Sequence, residues 1–115
     1  MKYLFLIYGE ENAERFASSE ATTQLIGAFT AYTEAMRNAG ILVGGERLRP
    51  VADATTVRIR GGKQSVLDGP FADTKEQLGG YYMVDVPDLD AALSWAARCP
   101  SAQFGSIEVR PIWTM

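Results

Sequence analysis

Residues 2–8, Lys-Tyr-Leu-Phe-Leu-Ile-Tyr, are apolar at every position after the first, and residues 80–86 repeat the pattern through Tyr81, Tyr82, Met83 and Val84. A strand sends successive side chains to opposite faces, so a segment apolar on both must be covered on both. The cover on offer is limited. From 20 to 39 the positions Leu25, Phe29, Tyr32 and Met36 recur at helical spacing, and Ile26, Ala28, Ala35 and Ala39 widen the stripe. Ser18 or Ser19 can cap its start, and Gly40 suits a left-handed stop. A second helix begins at an Asp88 cap, carries Leu89, Ala92, Leu93 and Ala96 with Trp95 at their flank, and stops at Pro100. Two helices can cover one face of a sheet.

The remaining segments read as strands and turns. Ile41-Leu42-Val43 opens a strand, and Gly44-Gly45 marks a bulge or a close backbone approach. Thr55–Arg60 alternates, with Val57 and Ile59 on one side and Arg58 and Arg60 on the other. Gly61-Gly62 then turns a hairpin into Gln64–Asp68. Asp73 and Glu76 have the spacing of a capping box around a single helical turn ended by Gly79, and a weaker turn is expected over Asn12–Ala17. Ile107, Val109 and Ile112-Trp113 form the closing strand. The order β-α-β-(ββ)-β-α-β predicts an α+β, ferredoxin-like subunit, with an antiparallel sheet and two helices on one face. The uncovered face then calls for a second copy, so a homodimer closing into an α/β barrel is expected.

Several chemistries are excluded by absence. The 115 residues contain no histidine, which removes a histidine-ligated haem and every Ser-His or Cys-His nucleophile pair. One cysteine, Cys99, permits no disulfide within the chain and reads as a small buried hydrophobe. No metal-ligand spacing stands out and no cofactor is expected; Gly44-Gly45, Gly61-Gly62 and Gly79-Gly80 make no phosphate-loop or dinucleotide fingerprint. The net charge of -3 argues against nucleic acid or an anionic membrane as partner. The apolar start is too short for a membrane span and lacks a cleavage site, so one cytoplasmic domain over 1–115 is expected.

The charged residues that the pattern sends towards covered space are few. Asp68 ends a strand, and either fastens a turn or serves as a general acid/base at a cleft mouth. Lys75 sits against the dipole of its expected helical turn, so it pairs with a carboxylate or reaches an anionic ligand. Glu108 and Arg110 project from one face, opposite Ile107 and Val109. They form a structural ion pair with Lys75, Asp68 or the other subunit, or Arg110 grips an anion while Glu108 orients it. Coupling between Asp68 and Arg110 is expected. Arg47, Arg49, Arg58 and Arg60 read as solvated, and Tyr81, Tyr82 and Trp113 as core or interface aromatics.

Ala54-Thr55-Thr56-Val57-Arg58, Asp68-Gly69-Pro70-Phe71, Thr74-Lys75-Glu76-Gln77-Leu78-Gly79-Gly80-Tyr81, Leu89-Asp90-Ala91-Ala92 with Trp95-Ala96-Ala97, and Glu108-Val109-Arg110-Pro111 together resemble the YCII-related family, in the branch described by its Asp-Gly-Pro-Phe (DGPF) motif. The resemblance runs end to end and implies a dimeric α/β barrel of ferredoxin-like subunits. It implies no settled reaction, and a sigma-factor context through members fused to, or encoded beside, such factors. The wider group carries a histidine and an Asp-Pro pair proposed for acid/base work. Here histidine is absent and Cys99-Pro100 stands where that pair would fall, so that chemistry does not carry over. Three functions are expected from these readings. The first is binding of a small anionic metabolite by Lys75, Tyr81, Glu108 and Arg110. The second is a cofactor-free acid/base reaction using Asp68. The third is a regulatory interaction module.

Overall fold

The computed structural model describes residues 1–13 and 18–114. The elements run β1 (Lys2–Gly9), α1 (Ser19–Asn38), β2 (Leu42–Arg47), β3 (Thr55–Arg60), β4 (Lys63–Asp68), β5 (Gln77–Asp85), α2 (Leu89–Ala97) and β6 (Ser106–Pro111). Four strands form an antiparallel sheet in the order β2-β5-β1-β6, and β3 and β4 form a separate two-stranded ribbon. This is a mixed α+β architecture consistent with the ferredoxin-like fold, with the ribbon inserted between β2 and β5. The turn expected over Asn12–Ala17 lies largely outside the described residues.

The helix ends are built as their residues dictate. The Ser18 hydroxyl accepts from the Ala21 amide at 3.1 Å, and the Asp88 carboxylate accepts from the Ala91 amide at 2.9 Å. At the other end of α1, the amides of Gly40 and Ile41 donate to the carbonyls of Arg37 and Met36, a Schellman closure. The capping box expected at Asp73 and Glu76 does not nucleate a turn. Instead β5 starts at Gln77, because Gln77 and Leu78 pair with Gly9 and Tyr8 of β1. Sheet pairing outweighs a local cap of one turn.

Register decides which side chains meet the helices. Tyr3 faces Val84, and Phe5 faces both Tyr82 and Val109, so these residues share one side of the sheet. That side is the core: Tyr3, Phe5, Val84 and Val86 are buried with Tyr32 and Met36 of α1, Ala92 and Ala96 of α2, and Cys99. The Tyr32 hydroxyl donates to the Trp95 carbonyl at 2.7 Å and ties α1 to α2. The expected bulge is present, with a register shift between Leu42 and Gly44. The close approach is present too. A Cβ on Gly45 would stand 2.7 Å from the Tyr81 carbonyl oxygen, so only glycine fits there.

The opposite side of the sheet carries no helix. Leu4, Leu6, Tyr8, Tyr81 and Met83 line its centre, each half-buried within the single chain. The molecule is flat, 47 × 44 × 18 Å, with a radius of gyration of 16.1 Å against about 13 Å for a compact domain of this length. It exposes 8053 Å², about 1,800 Å² more than the roughly 6,200 Å² expected of a folded monomer of this mass.

Candidate functional site

The site begins with the alternation of β6. Ile107 and Val109 pack against the core, so Ser106, Glu108 and Arg110 emerge on the open face. Pairing through β1 sets their neighbours. Leu6 faces Glu108 on one side and Tyr81 on the other, and Tyr81 in turn faces Glu46. One step along, Leu4 lies between Arg110 and Met83. The open face is therefore an apolar strip with charge along its margins.

Arg110 forms an ion pair with Glu108 through Nη2 and Oε2, on the same strand and face. Both side chains remain partly exposed, so the pair contributes little to stability by itself. Its effect is geometric. Glu108 fixes the guanidinium beside the apolar strip and leaves other N–H groups of the fork for a second acceptor.

The other candidates are dispersed. Lys75 Nζ lies 3.7 Å from Glu10 Oε1, on an exposed loop. That loop is fastened to β6 where the Ser106 hydroxyl donates to Glu76 Oε1 at 2.7 Å. Ser106 precedes Arg110 by four residues, about 13 Å of extended strand, so Lys75 and Arg110 mark opposite ends of the charged margin. Asp68 ends β4 on the separate ribbon, opposite Thr55. It is exposed and forms no ion pair among the described residues. The expected Asp68–Arg110 contact is therefore absent within one chain. The Asp68-Gly69-Pro70-Phe71 segment leaves β4 through a bend at Gly69 and is tied to the start of β3: the Gly69 amide donates to the Ala54 carbonyl at 2.7 Å, and its carbonyl accepts from the Thr56 hydroxyl at 2.8 Å.

A family model for the YCII-related domain matches residues 1–115. The chain belongs to the YCII-related family. An uncharacterized protein, R00369, of Rhizobium meliloti (strain 1021) is 39% identical over 114 residues, covering 97% of this chain and 92% of that protein. Among solved structures, the chain is similar to the 5-chloro-2-hydroxyhydroquinone dehydrochlorinase TftG of Burkholderia phenoliruptrix AC1100, in complex with 2,5-dihydroxybenzoquinone. That likeness has a TM-score of 0.58 at 14% identity, over 99% of this chain and 94% of that one. Identity that low shows a shared fold and nothing of the reaction.

Two further features of this YCII-related chain bear on the site. Arg58, read from alternation as solvated, is only half-exposed: its guanidinium lies over the Phe71 ring at 4.7 Å, and its Nε is buried without an acceptor among the described residues. The signal for this contact was Phe71, thirteen residues on and brought back by the hairpin. Beneath the helices, Tyr32, Tyr82 and Cys99 form a titratable cluster. Burial is the main cause raising all three above their ordinary pKa values. The T-shaped contact of the two rings, at 5.6 Å and 84°, and the 2.8 Å bond between the Tyr82 and Thr33 hydroxyls mark this cluster as core.

A groove of about 670 Å³ lies outside α1, against Arg98, Pro100 and Phe104, and a cavity of about 370 Å³ lies between Leu48, Pro50, Val51, Pro70 and Leu78. None of the five candidate residues lines either. Among the described residues, no group of three or more Cys, Asp or Glu side chains could hold a metal ion, and no helix is long and apolar enough to cross a membrane.

Proposed function

We propose that this chain forms a homodimer through the open face of its four-stranded sheet and binds a small anionic molecule at the margin of that face. The reading is carried by one observation: the Glu108–Arg110 pair stands beside an apolar strip that the chain's own helices leave uncovered. Covering the strip removes water from around the guanidinium and strengthens its hold on an anion. Arg110 contacts the ligand, Glu108 orients Arg110, and Tyr81, in the same cross-strand row as Glu108, offers a hydroxyl and a ring face. Lys75 attracts anions from the far end of the margin. Asp68 is exposed in the single chain, so this fold by itself does not supply the burial on which an acid/base reading depends.

The surplus surface of about 1,800 Å² per chain corresponds to roughly 3,600 Å² for a pair, in the range of obligate dimers. A ligand at ten times its Kd stabilises the folded state by about 1.4 kcal/mol, a rise of about 5 °C in Tm for a domain of this size. Thermal denaturation with millimolar carboxylates, phosphates and hydroxyquinones, 2,5-dihydroxybenzoquinone among them, tests the reading. At least one class is expected to produce such a rise, and Arg110→Met, which keeps the apolar stem, is expected to abolish it. No rise with any class, or an equal rise with the variant, excludes a site at Arg110. Asp68→Asn is expected to change stability by no more than about 1 kcal/mol, and additively with Arg110→Met, since the two side chains do not meet.

A further inference from the structure

The β3–β4 ribbon presents an apolar face that nothing in its own chain covers. Val57 pairs with Val66 across the ribbon, and Ile59 is two residues along on the same side. They are 58%, 56% and 64% exposed. The other side carries Thr56, Arg58, Arg60, Lys63 and Leu67, so exposure is not simply a matter of one wet face. The Gly61-Gly62 turn, with φ of 58° and 77°, supplies the conformation a two-residue hairpin requires. An isolated two-stranded ribbon is at best marginally stable in water. This one is rooted firmly, by the Leu48 amide on the Gly79 carbonyl at 2.9 Å and the Val51 amide on Glu11 Oε1 at 2.9 Å. Its root is fixed and its apolar face is open.

We infer that this ribbon is an arm that packs its Val57, Ile59 and Val66 face onto a second copy of the chain. The inference rests on the dimer proposed above and names a part of its interface. Area supports it. Four strands about 4.8 Å apart, each some six residues long, present a face of only about 400 Å² in projection. Even doubled for side-chain relief, that leaves much of the surplus surface to be covered elsewhere. Charge supports it as well. The arm, residues 55–68, holds Arg58, Arg60 and Lys63 against one carboxylate, Asp68, hence +2, whereas the whole chain is -3 and the rest therefore -5. These cations stand on the side opposite Val57, so they act at long range, drawing the basic arm towards an acidic body, which the second copy supplies.

The test compares the intact chain with the V57E/V66E variant by sedimentation, with circular dichroism to check folding. Both side chains are exposed in the single chain, so the variant is expected to fold, with the dimer dissociation constant raised at least about 100-fold. Hydrogen exchange on the unmodified protein, below and above that constant, gives a readout that needs no variant: amides of residues 55–68 are expected to gain protection as the dimer forms. An intact chain that dimerises, with a folded variant whose dimer has the same dissociation constant, overturns the arm and leaves the dimer standing. An intact chain that stays monomeric to about 100 µM overturns both. If the variant does not fold, exchange in the arm that is indifferent to protein concentration overturns the arm.

Discussion

Met83→Asp is expected to leave the subunit folded and to dissociate the dimer, whereas Val84→Asp, one residue along the same strand, is expected to abolish folding. The two side chains differ only in which way the pleat turns them. Val84 is 0% exposed, opposite Tyr3 on one side and Leu42 on the other, beneath both helices. A carboxylate there has no partner and no water, a cost of more than about 4 kcal/mol against the 5–15 kcal/mol that holds a domain together. Met83 faces away, between Leu4 and Gly44 on the helix-free side, where a charge still reaches water in a single chain. Only association would bury it, so its penalty of several kcal/mol falls on the dimer. Circular dichroism and sedimentation on the two variants separate these effects. A folded Val84→Asp protein would contradict the register, and an undisturbed dimer in Met83→Asp would remove the open face from the interface.

That contrast also shows how far the sequence could be read. Residues 81–84 are all apolar, so alternation indicated a strand covered on both faces without saying whether Tyr82 and Val84 or Tyr81 and Met83 faced the helices. Register with β1 decides it, and register is a long-range property that no window of one strand contains. The helices were legible because period, cap and stop agree at Ser18, Gly40 and Asp88. The helical turn at Asp73 was misread because a local cap competes with pairing to β1, whose partner residues lie some seventy positions earlier. Glu108 and Arg110 were placed correctly on one face, since strand alternation is local. The separation of Asp68 from Arg110 depended on the ribbon standing apart from the main sheet, and it leaves Glu108 as the partner of Arg110. Arg58 followed the same logic: alternation placed its side chain opposite Val57, but only the hairpin turn could bring Phe71 beneath it.

Alkaline pH is expected to destabilise the protein from within the helix-covered core. Tyr32 and Cys99 are almost wholly withdrawn from water, 5% and 2% exposed. Burial raises the Tyr32 hydroxyl well above its ordinary range, the nearby Cys99 and Tyr82 raise it further, and Arg98 lowers it only in part. Burial likewise raises the Cys99 thiol, against a smaller opposing bond from the Ser101 backbone. Both groups therefore keep their protons in the folded state at a pH where the unfolded chain releases them. Their contribution is complete below the unfolded values, about 8.5 for cysteine and 10 for tyrosine, and is lost as pH rises beyond each. Every proton so retained costs about 1.4 kcal/mol of stability per pH unit, so the loss starts near pH 8.5 with Cys99 and steepens near pH 10 when Tyr32 joins it. By pH 11 Tyr32 alone removes about 1.4 kcal/mol, and Cys99 adds to the loss in the same direction. Tyr82 shifts in the same direction but is half-exposed, and its bond to Thr33 opposes the shift, so its share is smaller. Denaturant unfolding from pH 7 to 11 measures the curve. Cys99→Ala is expected to delay its onset from about pH 8.5 to about pH 10, because the remaining loss belongs to tyrosine. A curve that stays flat to pH 11, or one that Cys99→Ala leaves unmoved, would mean that these groups titrate in the folded chain as freely as in the unfolded one.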